Sequence, residues 1–84
     1  MDYPIVKVRW LDACGDSSWL DKDELVEKEP APAITVGFLI IETDTKVILV
    51  SGKTEDGSLG SWDCIPKGMI QEMVYMVEET RKID

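Results

Sequence analysis

A mainly β chain, folded as a five-stranded small barrel with one short helix in its first long connection, is what this sequence predicts. Three features point to it. Ile5 to Leu11, IVKVRWL, alternates Val6, Val8 and Trp10 with Lys7 and Arg9, the period of two expected of a strand with one buried face. Ala33 to Thr43, AITVGFLIIET, meets a tight turn at Asp44-Thr45 and returns as Lys46 to Ser51, KVILVS, which reads as a strand and its antiparallel partner. Ser61 to Met73, SWDCIPKGMIQEM, runs apolar, breaks for Pro66-Lys67-Gly68 and turns apolar again.

Between the first two strands lies DACGDSSWLDKDELVEKEPAP. Asp21 is placed to cap a helix and Glu24 stands at the reciprocal capping-box position. Pro30 and Pro32 stop that helix early, so about two turns fit, Lys22 to Glu27. The second strand is apolar on both faces at Phe38 to Ile41, as a central strand would be. Gly37 within it predicts a bend or bulge of the kind a barrel corner needs. Thr54-Glu55-Asp56-Gly57 makes a second turn, Ser61 to Ile65 a fourth strand and Gln71 to Met76 a fifth. Proline lacks an N–H and glycine tolerates φ values closed to other residues, so Pro66-Lys67-Gly68 suits a single 3₁₀ turn that redirects the chain. Residues 1–77 then form one domain, and 78–84 a polar tail.

The chain has 84 residues, 44% hydrophobic and 31% charged, a globular composition with a small core. Seventeen acids against nine bases give a net charge of −8. That balance argues against direct contact with a nucleic-acid backbone and against an anionic membrane surface. Purely apolar runs such as Phe38 to Ile41 are far too short to span a bilayer. The opening Met-Asp-Tyr-Pro has neither a basic nor an apolar leader region. A cytoplasmic setting is therefore expected, with Cys14 and Cys64 reduced and buried. There is no histidine, which removes the commonest general base and metal ligand.

The strand ending in Ile65-Pro66, the single 3₁₀ turn and the short last strand resemble the end of Src-homology-type barrels, where a Pro-Ser-Asn-Tyr-Val segment fills the same place. Sm-like barrels close in a similar way. The resemblance spans Ala33 to Met76, about half of the chain, and implies an Src-homology-like or Sm-like barrel. It does not extend to polyproline binding, because Lys67-Gly68-Met69 stand where serine, asparagine and tyrosine would. The chain as a whole shows Trp10-x-Asp12-Ala13, Trp19 in a Ser-rich loop, Val36-Gly37 and Ile65-Pro66-Lys67-Gly68-Met69-Ile70. In this order it is similar to small uncharacterised proteins of tailed bacteriophages. That likeness implies a host-cytoplasm setting and an accessory role in infection.

The most distinctive segment runs from Asp12 to Glu29, where seven acids (Asp12, Asp16, Asp21, Asp23, Glu24, Glu27 and Glu29) face two bases, Lys22 and Lys28. Its net charge of −5 leaves only −3 for the other 66 residues. Such a segment either solubilises a small protein or docks on a basic partner. A calcium loop is not spelled: counting from Asp12, Cys14 and Asp23 stand where oxygen ligands and a closing glutamate belong. Trp10 lies on the core face of its strand. Trp19 covers the barrel end or anchors an interface, and the face of Trp62 is left open. Serines without a histidine, and no phosphate-binding glycine loop, argue against an enzyme. The predicted function is a small acidic binding protein with neither cofactor nor metal. Its candidate surface is Asp12, Asp16, Trp19, Asp21, Asp23, Glu24, Glu27 and Trp62, its partner a protein with a basic surface. The alternatives are an oligomeric binder of a small ligand such as a nucleotide, joined through strand edges, and a plain structural subunit.

Overall fold

A computed structural model describes residues 3–83 of the chain; Met1, Asp2 and Asp84 lie outside the described residues. The elements follow one another as β1 (Ile5–Asp12), α1 (Lys22–Leu25), β2 (Ala31–Glu42), β3 (Lys46–Lys53), β4 (Leu59–Pro66), a 3₁₀ turn (Lys67–Met69) and β5 (Ile70–Tyr75). The strands form a single antiparallel sheet in the order β4-β3-β2-β1-β5. Residues 78–83 of the predicted tail contain neither helix nor strand.

β1 and β3 carry the alternation that their sequences show, whereas β4 buries Ile65 alone and β5 no residue. Val6 and Val8 of β1, Leu39 of β2, Val47 and Leu49 of β3 and Ile65 of β4 form the buried cluster. Trp10, Ile70 and Met73 pack at its border. The Trp10 indole N–H donates to Thr35 Oγ1 at 3.0 Å, so its one polar atom is satisfied beside the core. Proline is tolerated at position 32 because β3 pairs with β2 only from Phe38 onward. The first half of β2 therefore has an open side, and the missing N–H breaks no ladder there.

Gly37 marks a close approach, and the register irregularity of β2 falls just beyond it, between Leu39 and Ile41. A Cβ at this position would lie 2.6 Å from the Val50 carbonyl oxygen and 3.2 Å from its carbon. Only glycine lets β3 approach this closely, and residues from β1 and from β3–β4 share one buried cluster. Gly68 differs from expectation: its φ lies outside the left-handed region and a Cβ there would meet nothing within 4 Å. The 3₁₀ turn after Pro66 needs no special glycine conformation. Positive φ occurs instead at Gly57, in the β3–β4 turn, and at Ser61 within β4.

The sheet does not close into a barrel, which corrects the predicted architecture. β4 ladders on β3 alone and β5 on β1 alone. The three-residue turn joins the two edge strands at one end only. Two further expectations change with it. Both cysteines are free and exposed rather than buried. The helix is one turn, Lys22–Leu25, and not two.

Candidate functional site

The acidic segment connects the open end of the β1–β2 hairpin, whose last pair is Asp12 and Ala31. Its base is crossed by the Cys14 thiol, which donates to the Glu29 carbonyl at 3.2 Å. Two of the acids shape the backbone. Asp16 Oδ1 accepts the Ser18 N–H at 2.7 Å, and Asp21 Oδ1 accepts the Glu24 N–H at 2.9 Å, capping α1. The capping half of the predicted box thus forms, because aspartate short of the helix satisfies a free N–H of its first turn. Asp12, Asp23, Glu24, Glu27 and Glu29 are exposed with them, and α1 buries no residue. The two ion pairs found among the described residues, Arg9 Nε with Glu72 Oε1 at 3.8 Å and Lys67 Nζ with Glu42 Oε2 at 2.9 Å, involve none of these acids.

Trp19 is 99% exposed. It does not cover the end of the sheet, because the segment that carries it stands away from the core. Asp12, Asp16, Trp19, Asp21, Asp23, Glu24 and Glu27 are therefore brought together on one projecting arm. Trp62 is not among them. It lies on β4, separated from β1 by β3 and β2, and is 72% exposed.

The register explains the position of Trp62 and reveals a second surface. Inward-pointing Val6, Val8, Leu39, Val47, Leu49, Ile65 and Met73 fix the opposite parity as outward. Across the strands that outer face reads Glu72–Arg9–Ile34, then Val74–Lys7–Val36, then Ile5–Phe38–Val50–Trp62, then Ile41–Ile48–Cys64. Val50, buried in the third row, stands outside the main cluster. Ile34 is 61% and Val36 52% exposed, and Ile41 and Val74 are exposed beside them. Sequence reasoning took the two-sided apolar character of Phe38 to Ile41 as the sign of a central strand, which β2 is. The outward alternation of Ile34, Val36 and Phe38 was the available signal for this face.

Among the described residues no polar or charged side chain is buried, and no three or more Cys, Asp or Glu side chains gather as a metal site. The shifted acid is Asp56, exposed in the β3–β4 turn. The Thr54 hydroxyl, and then the Ser58 backbone N–H, hold its carboxyl below the ordinary aspartate value. That is the signature of a well-made turn, in which hydrogen bonds favour the charged form. No helix among the described residues is long and apolar enough to cross a membrane. Comparison with protein-family models, with curated proteins and with solved structures returns no match.

Proposed function

We propose that this chain is a small, acidic, non-enzymatic binding protein, a bacteriophage accessory factor of the host cytoplasm, which docks on a basic host or phage protein through its β1–β2 arm. One observation supports this above the rest: Trp19 stands 99% exposed within a segment of net charge −5. Exposing a whole indole to water is unfavourable for an isolated monomer. An exposed tryptophan ringed by charge is the usual anatomy of an interface anchor, in which the aromatic supplies affinity and the acids supply steering. The short helix holds this arrangement at little cost, since Asp21 caps it and Asp23 and Glu24 sit in its first turn, where negative charge is favourable.

The test is site-specific photo-crosslinking from position 19 in bacterial lysate, with position 46, on the sheet, as the control site. A discrete adduct should form from position 19 and not from position 46. It should weaken as salt shortens the screening length from about 10 Å at 0.1 M to about 3 Å at 1 M. It should vanish in the Asp23→Lys, Glu27→Lys, Glu29→Lys variant, whose substituted side chains are exposed and take no part in the hydrogen bonds that shape the arm. An adduct indifferent to both salt and charge reversal would refute docking through the acidic arm.

A further inference from the structure

We infer that the outer face of the sheet is an interface between two copies of this chain. The first ground is area. The described chain exposes 7103 Å², whereas a folded monomer of 9.4 kDa is expected to expose about 5,000 Å². Its radius of gyration of 16.9 Å compares with about 12 Å for a compact domain of this length. The arm accounts for part of the surplus. The outer face adds apolar side chains exposed on neighbouring rows, Ile34 at 61%, Val36 at 52%, Ile41 at 44%, Val74 at 37% and Trp62 at 72%, where ordinary monomers scatter such residues singly.

The second ground is charge. A chain of net charge −8 repels its own copies wherever its acids are concentrated. On the outer rows the charged groups are Lys7, Arg9 and Glu72, and Arg9 already lies 3.8 Å from Glu72. With Lys53 and Glu78 beside Ile5 and Phe38, charges of both signs are mixed on this face, which therefore opposes a second copy less than the acid-rich arm does. A charged partner would instead be matched by a charged surface, since electrostatic complementarity sets specificity. A near-neutral apolar face fits a two-fold contact, in which the same patch serves both sides. The edge strands suit self-association less well. β4 is interrupted by Ser61 at φ 55 and ends in Pro66, features that blunt an edge against pairing.

The two cysteines provide a built-in reporter. Cys64 lies on the outer face, in register with Ile48, while Cys14 lies on the arm. As the wild-type chain is raised from ~1 to ~100 μM, sedimentation should show the mass doubling. Over the same range Cys64 should react with a thiol reagent about tenfold more slowly or beyond, by linkage to dimer formation. Cys14 should react at one rate throughout. Val36→Glu and Trp62→Glu place charge on side chains that are exposed in the monomer. Each should keep the circular dichroism of the wild type, stay monomeric and leave Cys64 fast at every concentration. A wild-type monomer with Cys64 always fast would overturn the inference, and so would a dimer that both substitutions leave intact. Should the variants misfold, the concentration dependence of Cys64 in the wild type decides alone. The arm variant Asp23→Lys, Glu27→Lys, Glu29→Lys should still dimerise, which separates this inference from the docking of the arm.

Discussion

Replacing Gly37 by alanine tests the close approach of β3 to β2. The added Cβ would sit 2.6 Å from the Val50 carbonyl oxygen, inside any real carbon–oxygen contact. The obstacle is backbone, so no side chain can swing away. β3 must retreat from β2 by a sizeable fraction of an ångström, and the Leu49 Cβ at 3.4 Å moves with it. Overpacking of this kind costs about 1–3 kcal/mol, and the backbone origin of the clash places Gly37→Ala at the upper end. Alanine restricts the unfolded chain and returns about 0.4–1 kcal/mol. The net loss is about 2 kcal/mol, which for a domain of this size lowers Tm by roughly 8–16 °C. Thermal unfolding followed by circular dichroism measures it at low protein concentration, so that association does not intervene. Gly68→Ala is the matched control, because its Cβ meets nothing within 4 Å, and it should stay within about 0.5 kcal/mol of the wild type. If Gly37→Ala melts with the wild type, or if both variants fall equally, the close approach of β3 does not make position 37 a glycine site.

The core and the β3–β4 turn give two further expectations. Ile65 is fully buried in the cluster shared by β1, β2, β3 and β4, so Ile65→Ala should cost about 2–5 kcal/mol, a large share of the ~4–13 kcal/mol a chain this long can have; a urea midpoint implying a loss below ~1 kcal/mol would place Ile65 outside the core. Asp56 should titrate below ordinary aspartate in an NMR pH titration, and Thr54→Val should raise it, since the Thr54 hydroxyl is the leading cause of the depression. The sign follows from linkage: a depressed folded value means that the turn's contribution is full above the ordinary aspartate range and is lost as pH falls through the folded value. A titration unchanged by Thr54→Val would remove that hydroxyl as the cause.

Most of the fold was legible because it rests on local pattern. The alternation in IVKVRWL and KVILVS places β1 and β3, Asp44-Thr45 joins β2 to β3, and Pro66 marks the 3₁₀ turn within a residue. The strand order follows from antiparallel neighbours and a last strand returned beside the first. Closure was not legible, since whether β4 and β5 meet depends on accumulated twist and on strand length. β5 has six residues, five of them paired with β1 and Gln71 passed over at a register shift, and nothing in IQEMVY announces that its other edge stays free. The glycines show the same limit. Gly37 and Gly68 look alike in sequence, yet one lies against the β3 backbone and the other stands in open space, and the bulge expected at Gly37 falls instead between Leu39 and Ile41. At the candidate site, the acids and Trp19 were found together because they are contiguous in the chain. Trp62 was grouped with them by residue type alone, and register assigns it to the outer face. The cysteines were read as buried from their usual preference, but Cys64 follows the outward parity of its strand and Cys14 sits at the base of the arm.

The arm and the outer face divide the chain's surface in a way that makes the two proposals compatible. Spread evenly, a net charge of −8 would put acids on every face and oppose any contact between copies. Concentrating −5 in residues 12–29 gathers much of that charge beyond the end of the hairpin. Charges more than a screening length apart, about 8 Å in physiological salt, scarcely oppose one another. Two copies meeting on the outer face would leave both arms free. A single exposed acidic arm steers encounter well but holds its partner weakly, because rim charges act mainly on the association rate. Two arms on one particle change this, since the second docking event becomes intramolecular and dissociation requires both to release. Self-association through an apolar face would thus supply the residence time that a short, solvated, one-turn arm lacks.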